Sequence, residues 1–178
     1  MITPYYKDQL KVLHSRDVMW GSSAGRWRGD VMEHAERLQA KTILDYGCGK
    51  GHLKLLTEKF GFVVKEYDPG IPGKDGPAEA CDMVACLDVL EHIEPDQLDA
   101  ALWHMRALAF KGALFVAALY PSGTKLPDGR DSHLIIQPPE WWVEKVESVF
   151  GKTQWDHRAR PTRNPNRVKD VVVMRAWT

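Results

Sequence analysis

Three alternate glycines, Gly47, Gly49 and Gly51, stand between a short apolar run at residues 42–45 and a segment in which Leu53, Leu56 and Phe60 recur at helical spacing. A strand turning straight into a helix restricts the fold more than any other feature of this chain. Glycine adopts left-handed backbone angles without strain and lets N–H groups approach a ligand closely beside the partly positive helix N-terminus. Further apolar runs at 62–67, 83–87, 114–119 and 171–174 alternate with helical patterns carried by Leu98, Leu102, Met105 and Ala109, then by Trp142, Val146, Val149 and Phe150. Pro95, Pro138 and Pro139 fall in first turns, and Gly61, Gly112 and Gly151 follow the expected helix ends. Val31, Ala35 and Leu38 mark one more helix upstream, and residues 5–13 another. The alternation predicts an α/β fold: an open, mostly parallel, Rossmann-like sheet with helices on both faces and ligands beyond the carboxyl ends of its strands.

The 178 residues, 44% apolar and 27% charged, suit one compact domain with its own core. A formal net charge of zero supplies no whole-molecule field to gather nucleic acid or an anionic membrane. The cysteines Cys48, Cys81 and Cys86 form no Cys-x-x-Cys pair, so neither a disulfide framework nor a metal site is expected. No run approaches the roughly 18 apolar residues of a membrane span, and the first residues lack a signal-type apolar segment. A reduced, cytoplasmic setting is therefore expected. Cys48 and Cys86 read as small buried residues, and Trp103, Trp141 and Trp142 as core packing.

The glycine turn itself narrows the ligand. A dinucleotide fingerprint starting at Gly47 requires glycine where His52 stands, and Lys50 is neither preceded nor followed by the residues of a phosphate loop. Asp45 adds negative charge where a pyrophosphate would rest, which favours a cationic group such as an ammonium or a sulfonium. Asp68 ends the second run at close to the roughly 20-residue interval that separates a nucleotide-binding turn from a ribose-binding acid. It is the expected acceptor for a ribose diol, against the plainer role of opening the turn Asp68-Pro69-Gly70.

With these residues in place the chain resembles the class I S-adenosylmethionine-dependent methyltransferases. Residues 44–51 resemble their first motif, Glu66-Tyr67-Asp68 their second, and residues 81–93 are similar to the fourth strand and following turn of the small-molecule branch. The resemblance covers roughly residues 41–150. It implies S-adenosylmethionine as cofactor, with Asp45, Gly47, Cys48 and Gly49 around its methionine part, Asp68 on the ribose, Pro69 on one face of the adenine, and the backbone at Cys86 and Leu87 near the amino group. In one respect the chain departs from the family. The connector from Asp68 to Cys81 is too short for the usual helix and third strand, so a trimmed sheet is expected, with Asp75 or Glu79 substituting at the adenine.

Methyl transfer from a sulfonium is an in-line displacement in which the protein chiefly positions the nucleophile. A base, most often His or a carboxylate, is needed for a protonated oxygen or nitrogen. His133, Asp88 and His92 are the candidate catalytic residues, because they follow the expected fourth and fifth strands. Trp20, Ser22 and Arg26 in the N-terminal segment, with Tyr120, Arg130 and Arg163, are the candidate substrate contacts. Residues 1–40 read as a helical lid and 41–178 as the cofactor-binding domain. The expected substrate is a small molecule accepting at oxygen or nitrogen. Two other readings stay open: a cofactor-binding or partner protein of this fold without activity, and an enzyme acting on nucleic acid or protein through the basic stretch 156–169. Nucleic acid is the less favoured partner, since no aromatic side chain interleaves that stretch. The Asn-Pro-Pro-Tyr type of motif found in many amino methyltransferases of DNA is also absent.

Overall fold

In the computed structural model, which describes residues 2–16, 21–161 and 168–178, six strands form one sheet in the order β2-β1-β3-β4-β6-β5. The strands are β1 (Thr42–Tyr46), β2 (Val63–Tyr67), β3 (Cys81–Leu87), β4 (Ala109–Ala118), β5 (Thr153–Pro161) and β6 (Val168–Trp177). The first four run parallel; β6 lies antiparallel between β4 and β5. The third strand of the full family pattern is absent among the described residues, as the short connector predicts. Residues 69–80 instead close a tight turn, with the Asp68 N–H donating to the Lys74 carbonyl.

The strands read as apolar on both sides because they are buried on both sides. On β1, Ile43 faces a layer holding Val31, Ala35 and Leu53, while Leu44 faces one holding Leu102, Met105 and Trp142. Successive strand residues point to opposite faces, so one run serves two cores. Helices α2 (Arg28–Arg37) and α3 (His52–Thr57) cover the first face. Helices α4 (Leu98–Leu108) and α5 (Pro139–Phe150) cover the second. Helix α1 (Pro4–Arg16) forms a separate apolar cluster through Tyr6, Leu10, Leu13 and Leu126.

Pro139 opens α5, and Gly61 and Gly151 take left-handed φ angles of 86° and 84° after their helices. Gly112 does not end α4; it lies inside β4, where a Cβ would strike the carbonyl oxygen of Ala176 on β6. Close backbone approach, not a helix stop, requires that glycine. Trp142 is fully buried, whereas Trp103 is 58% exposed and belongs to no core. Strand order reverses at β1, with β2 on one side and β3 on the other, and the crevice beyond their carboxyl ends is where such a sheet binds ligands.

Candidate active site

At the end of β1 the chain turns through Gly47, Gly49 and Gly51, all at positive φ. The N–H groups of Gly47 and Cys48 both donate to the Tyr67 carbonyl, at 2.7 and 3.1 Å, which ties the turn to β2. A Cβ on Gly47 would lie 2.5 Å from Val89 Cγ2, and one on Gly49 would run into the backbone of Gly21. Asp68 is almost fully buried. Its Oδ2 accepts from the Gly49 N–H at 2.9 Å and its Oδ1 from the Gly70 N–H at 2.8 Å. A carboxylate has about four acceptor positions, so both oxygens keep capacity for a diol.

Asp45 lies beneath this turn, 1% exposed, and its Oδ2 has no hydrogen-bond partner. Burial, reinforced by the nearby Glu66 carboxylate, pushes its carboxyl up to about 8, with Lys74 opposing. Desolvation thus opposes the negative charge that the sequence suggests at Asp45, and it outweighs the lysine. Lys74 itself bridges the Gly49 carbonyl and Glu66 Oε1, at 3.1 and 3.0 Å.

Across the crevice, β3 is followed by Asp88, which adopts φ +55°, a strained region for most side chains but one that Asp tolerates. Its Oδ2 accepts from Trp27 Nε1 at 3.0 Å and lies 3.8 Å from the Arg26 guanidinium. The short 3₁₀ turn Leu90–His92 follows. Glu91 is fully buried, and its Oε1 accepts from the Ala118 N–H at 3.1 Å. His92 Nδ1 lies 2.7 Å from the Ser132 carbonyl and His133 Nδ1 2.6 Å from the Tyr120 carbonyl. A carbonyl only accepts, so Nδ1 carries the hydrogen in both rings and the lone pair belongs to Nε2. The rings meet edge to face, 4.7 Å apart. Burial, with His133 alongside, brings His92 down to about 3, and burial also lowers His133, so both imidazoles are neutral at pH 7.

One cavity of about 460 Å³ joins the two sides. Gly47, Gly49, Asp68 and Pro69 line one end, Asp88, His92, Tyr120 and His133 the other, and Ser22 and Arg26 lie over them. Asp45, Cys48, Cys86 and Leu87 are buried behind this lining, not in it. Arg130 is held away by Asp128, with Nη2 2.7 Å from the carboxylate. Asp75 and Glu79 are engaged by Lys7 and Lys65 and do not line the cavity. Trp20 and Arg163 lie outside the described residues. Sequence reasoning missed Tyr6, Leu10 and His14, which also line the cavity. Their spacing of four along α1 is one helical stripe, a visible signal whose destination was not. His14 Nε2 lies 4.0 Å from Asp68 Oδ2, and burial lowers its pKa.

A family model described as a methyltransferase domain matches residues 19–169, most of the chain. The chain belongs to this methyltransferase family. The methyltransferase fold recurs in solved structures of low identity. The 1,6-didemethyltoxoflavin-N1-methyltransferase of Burkholderia thailandensis, with bound 1,6-didemethyltoxoflavin and S-adenosylhomocysteine, aligns at a TM-score of 0.67 and 19% identity over 99% of this chain and 91% of that one. Magnesium protoporphyrin IX methyltransferase from Synechocystis PCC 6803, with bound S-adenosylhomocysteine, aligns at 0.57 and 15% over 87% and 84%. Its S-adenosylmethionine-bound form aligns at 0.56 and 16% over 92% and 83%. No curated protein matches the sequence. No helix among the described residues is long and apolar enough to cross a membrane.

Proposed function

We propose that this methyltransferase uses S-adenosylmethionine to methylate an oxygen or nitrogen atom of a small molecule. The observation that carries the reading is the single cavity that joins the glycine turn to the Asp88, His92 and His133 corner. Its volume falls within the roughly 300–1,000 Å³ of small-molecule sites. The residues present fit the cofactor: positive-φ glycines leave a cradle that Cβ atoms would fill, and Asp68 keeps acceptor capacity for a ribose. Bound there, the cofactor supplies an electrophilic methyl group on a positively charged sulfur.

The chain's own residues do the rest. His133, neutral at pH 7, takes the proton of the acceptor. Asp88 and Tyr120 shape the acceptor pocket. Ser22 and Arg26, with Trp27 on Asp88, hold an N-terminal cover that keeps water out, and the Lys50 N–H and His52 ring fasten that cover through the carbonyls of Gly21 and Ser22. The cover ends before Arg28, because Val31 and Ala35 of α2 are fully buried in the core.

Two of the five cations in the basic stretch are engaged within the fold, which favours a small substrate over nucleic acid. Arg158 is consumed by Asp30 and Asp156, and the Lys169 ammonium sits 5.0 Å above the Tyr120 ring. Three buried, unpaired cysteines accord with a reduced cytoplasmic setting. Isothermal calorimetry with S-adenosylmethionine and S-adenosylhomocysteine tests the cofactor. Stoichiometric binding that Asp68→Ala weakens by roughly one to two orders of magnitude is expected. A folded protein that binds neither compound overturns the reading.

A further inference from the structure

Glu91 and His92 follow β3, whereas His133 comes from the long loop after β4. Nothing in their sequence spacing joins them. In the folded chain one donor atom from each of the three lies within 4.8 Å of the others, and His92 and His133 line the cavity together with Asp88. We propose that Glu91, His92 and His133 form a divalent-cation site at the acceptor end of the cavity. This rests on the reading above, in that the acceptor is placed beside His133.

The arrangement has the two layers that metal sites share. Metal-ligating imidazoles usually donate their other ring N–H to a carbonyl or carboxylate, which fixes the tautomer and aims the lone pair. Both rings here do so: Nδ1 of His92 on Ser132 and Nδ1 of His133 on Tyr120. Glu91 is held in its turn by the Ala118 N–H on its Oε1, and its own carbonyl accepts from Leu134 and Ile135 at 2.7 and 3.1 Å. Those two bonds pull the His133 loop against the 3₁₀ turn that carries Glu91 and His92. Ligands on bonds of about 2.0–2.2 Å stand roughly 3–4 Å apart around an ion, so a small rotamer adjustment closes the set.

Two imidazoles and one carboxylate select zinc, manganese, cobalt or ferrous iron over magnesium or calcium, which prefer oxygen ligands throughout. Three protein ligands leave coordination positions for a substrate oxygen. One carboxylate and two neutral rings leave a divalent ion with net positive charge, which suits an acidic or phenolic acceptor. The cation changes the part played by His133 from base to ligand. An acceptor hydroxyl on the ion is acidified and its proton passes to water. The new C–O bond forms as the C–S bond breaks, and the sulfonium becomes a neutral thioether.

Cobalt(II) reports the site without any acceptor being known. After chelator dialysis, cobalt is titrated into the full chain while its visible absorption and heat of binding are followed. Glu91→Gln and His133→Gln are titrated in parallel, and S-adenosylhomocysteine binding is measured on every sample. One equivalent of cobalt with visible d–d bands, weakened in both variants by more than the roughly 10–100-fold that loss of an outer partner costs, is the expected result. Should Glu91→Gln fail to bind S-adenosylhomocysteine through misfolding, His133→Gln decides alone. No stoichiometric cobalt binding by wild-type protein that binds S-adenosylhomocysteine, or binding that survives His133→Gln, overturns the site. Cobalt binding that His133→Gln abolishes, in a protein that ignores S-adenosylhomocysteine, upholds the metal site and removes the methyltransferase reading instead.

Discussion

Asp45 shows what burial does to a single side chain. Its carboxyl, ordinarily near 3.8, is raised to about 8. A raised acid costs nothing below the unfolded pKa and destabilises progressively as pH climbs from about 4 to about 8. Asp45→Asn is therefore expected to raise the melting temperature at pH 7, by a stability gain of about 1–4 kcal/mol. A cationic ligand favours the ionised form, so wild-type affinity for S-adenosylmethionine should rise with pH up to about 8, with proton release on binding. The neutral thioether S-adenosylhomocysteine should show the weaker dependence, and calorimetry in two buffers of different ionisation enthalpy measures the difference. Equal proton release by both compounds would contradict this account. His133 makes the opposite case, a base kept neutral by burial. In turnover without added metal, its loss in His133→Gln should lower kcat by roughly 10²–10⁴-fold and leave the KM for cofactor unchanged. The wild-type rate should fall on acidification through a pKa below 6.5, as the imidazole gains a proton, and the variant should lack that limb. These two residues were named from the sequence, but their ionisation was not legible there, because it depends on neighbours distant along the chain.

Among the elements, the glycine turn and β3 were legible because their signals are local: spacing, alternation and punctuation within a few residues. Gly112 misled for the same reason, since the carbonyl that requires it belongs to β6. Trp103 carried the same apolar label as Trp142, yet it lies on the solvent side of α4. Helix α1 shows the larger gap. Its stripe of Tyr6, Leu10 and His14 is plain in the sequence, but only tertiary packing reveals that it lines the cavity, with Leu10 against Gly70 and His14 near Asp68. Leu10→Asp is expected to loosen α1 and weaken S-adenosylmethionine and S-adenosylhomocysteine alike by about tenfold, or roughly 1.4 kcal/mol. The melting temperature should change little, because α1 packs in its own cluster outside the two cores of the sheet. Unaltered affinity for both compounds would remove α1 from the site.

The whole molecule is held together by contacts that no window of sequence contains. Arg175 on β6, 7% exposed, joins Asp30 of α2 at 3.0 Å and Asp156 of β5 at 2.9 Å, and Arg158 reaches both acids as well. Asp30→Ala leaves a buried guanidinium short of acceptors and should cost about 1–3 kcal/mol in chemical denaturation. A loss below about 0.5 kcal/mol would mark the network as surface decoration. A net charge of zero thus conceals strongly paired charge, and the basic stretch read from composition is in part the cationic half of this network. What the sequence determined alone is the succession of strands and helices and the glycine turn, because each is set by spacing along the chain; the missing third strand followed from the short connector set against the resembled family. Only the tertiary structure decided that α1 lines the cavity, that burial raises the Asp45 carboxyl, and that Glu91, His92 and His133 meet. Those facts depend on which loops the sheet's reversal of strand order brings to one edge, and on how much water is excluded there.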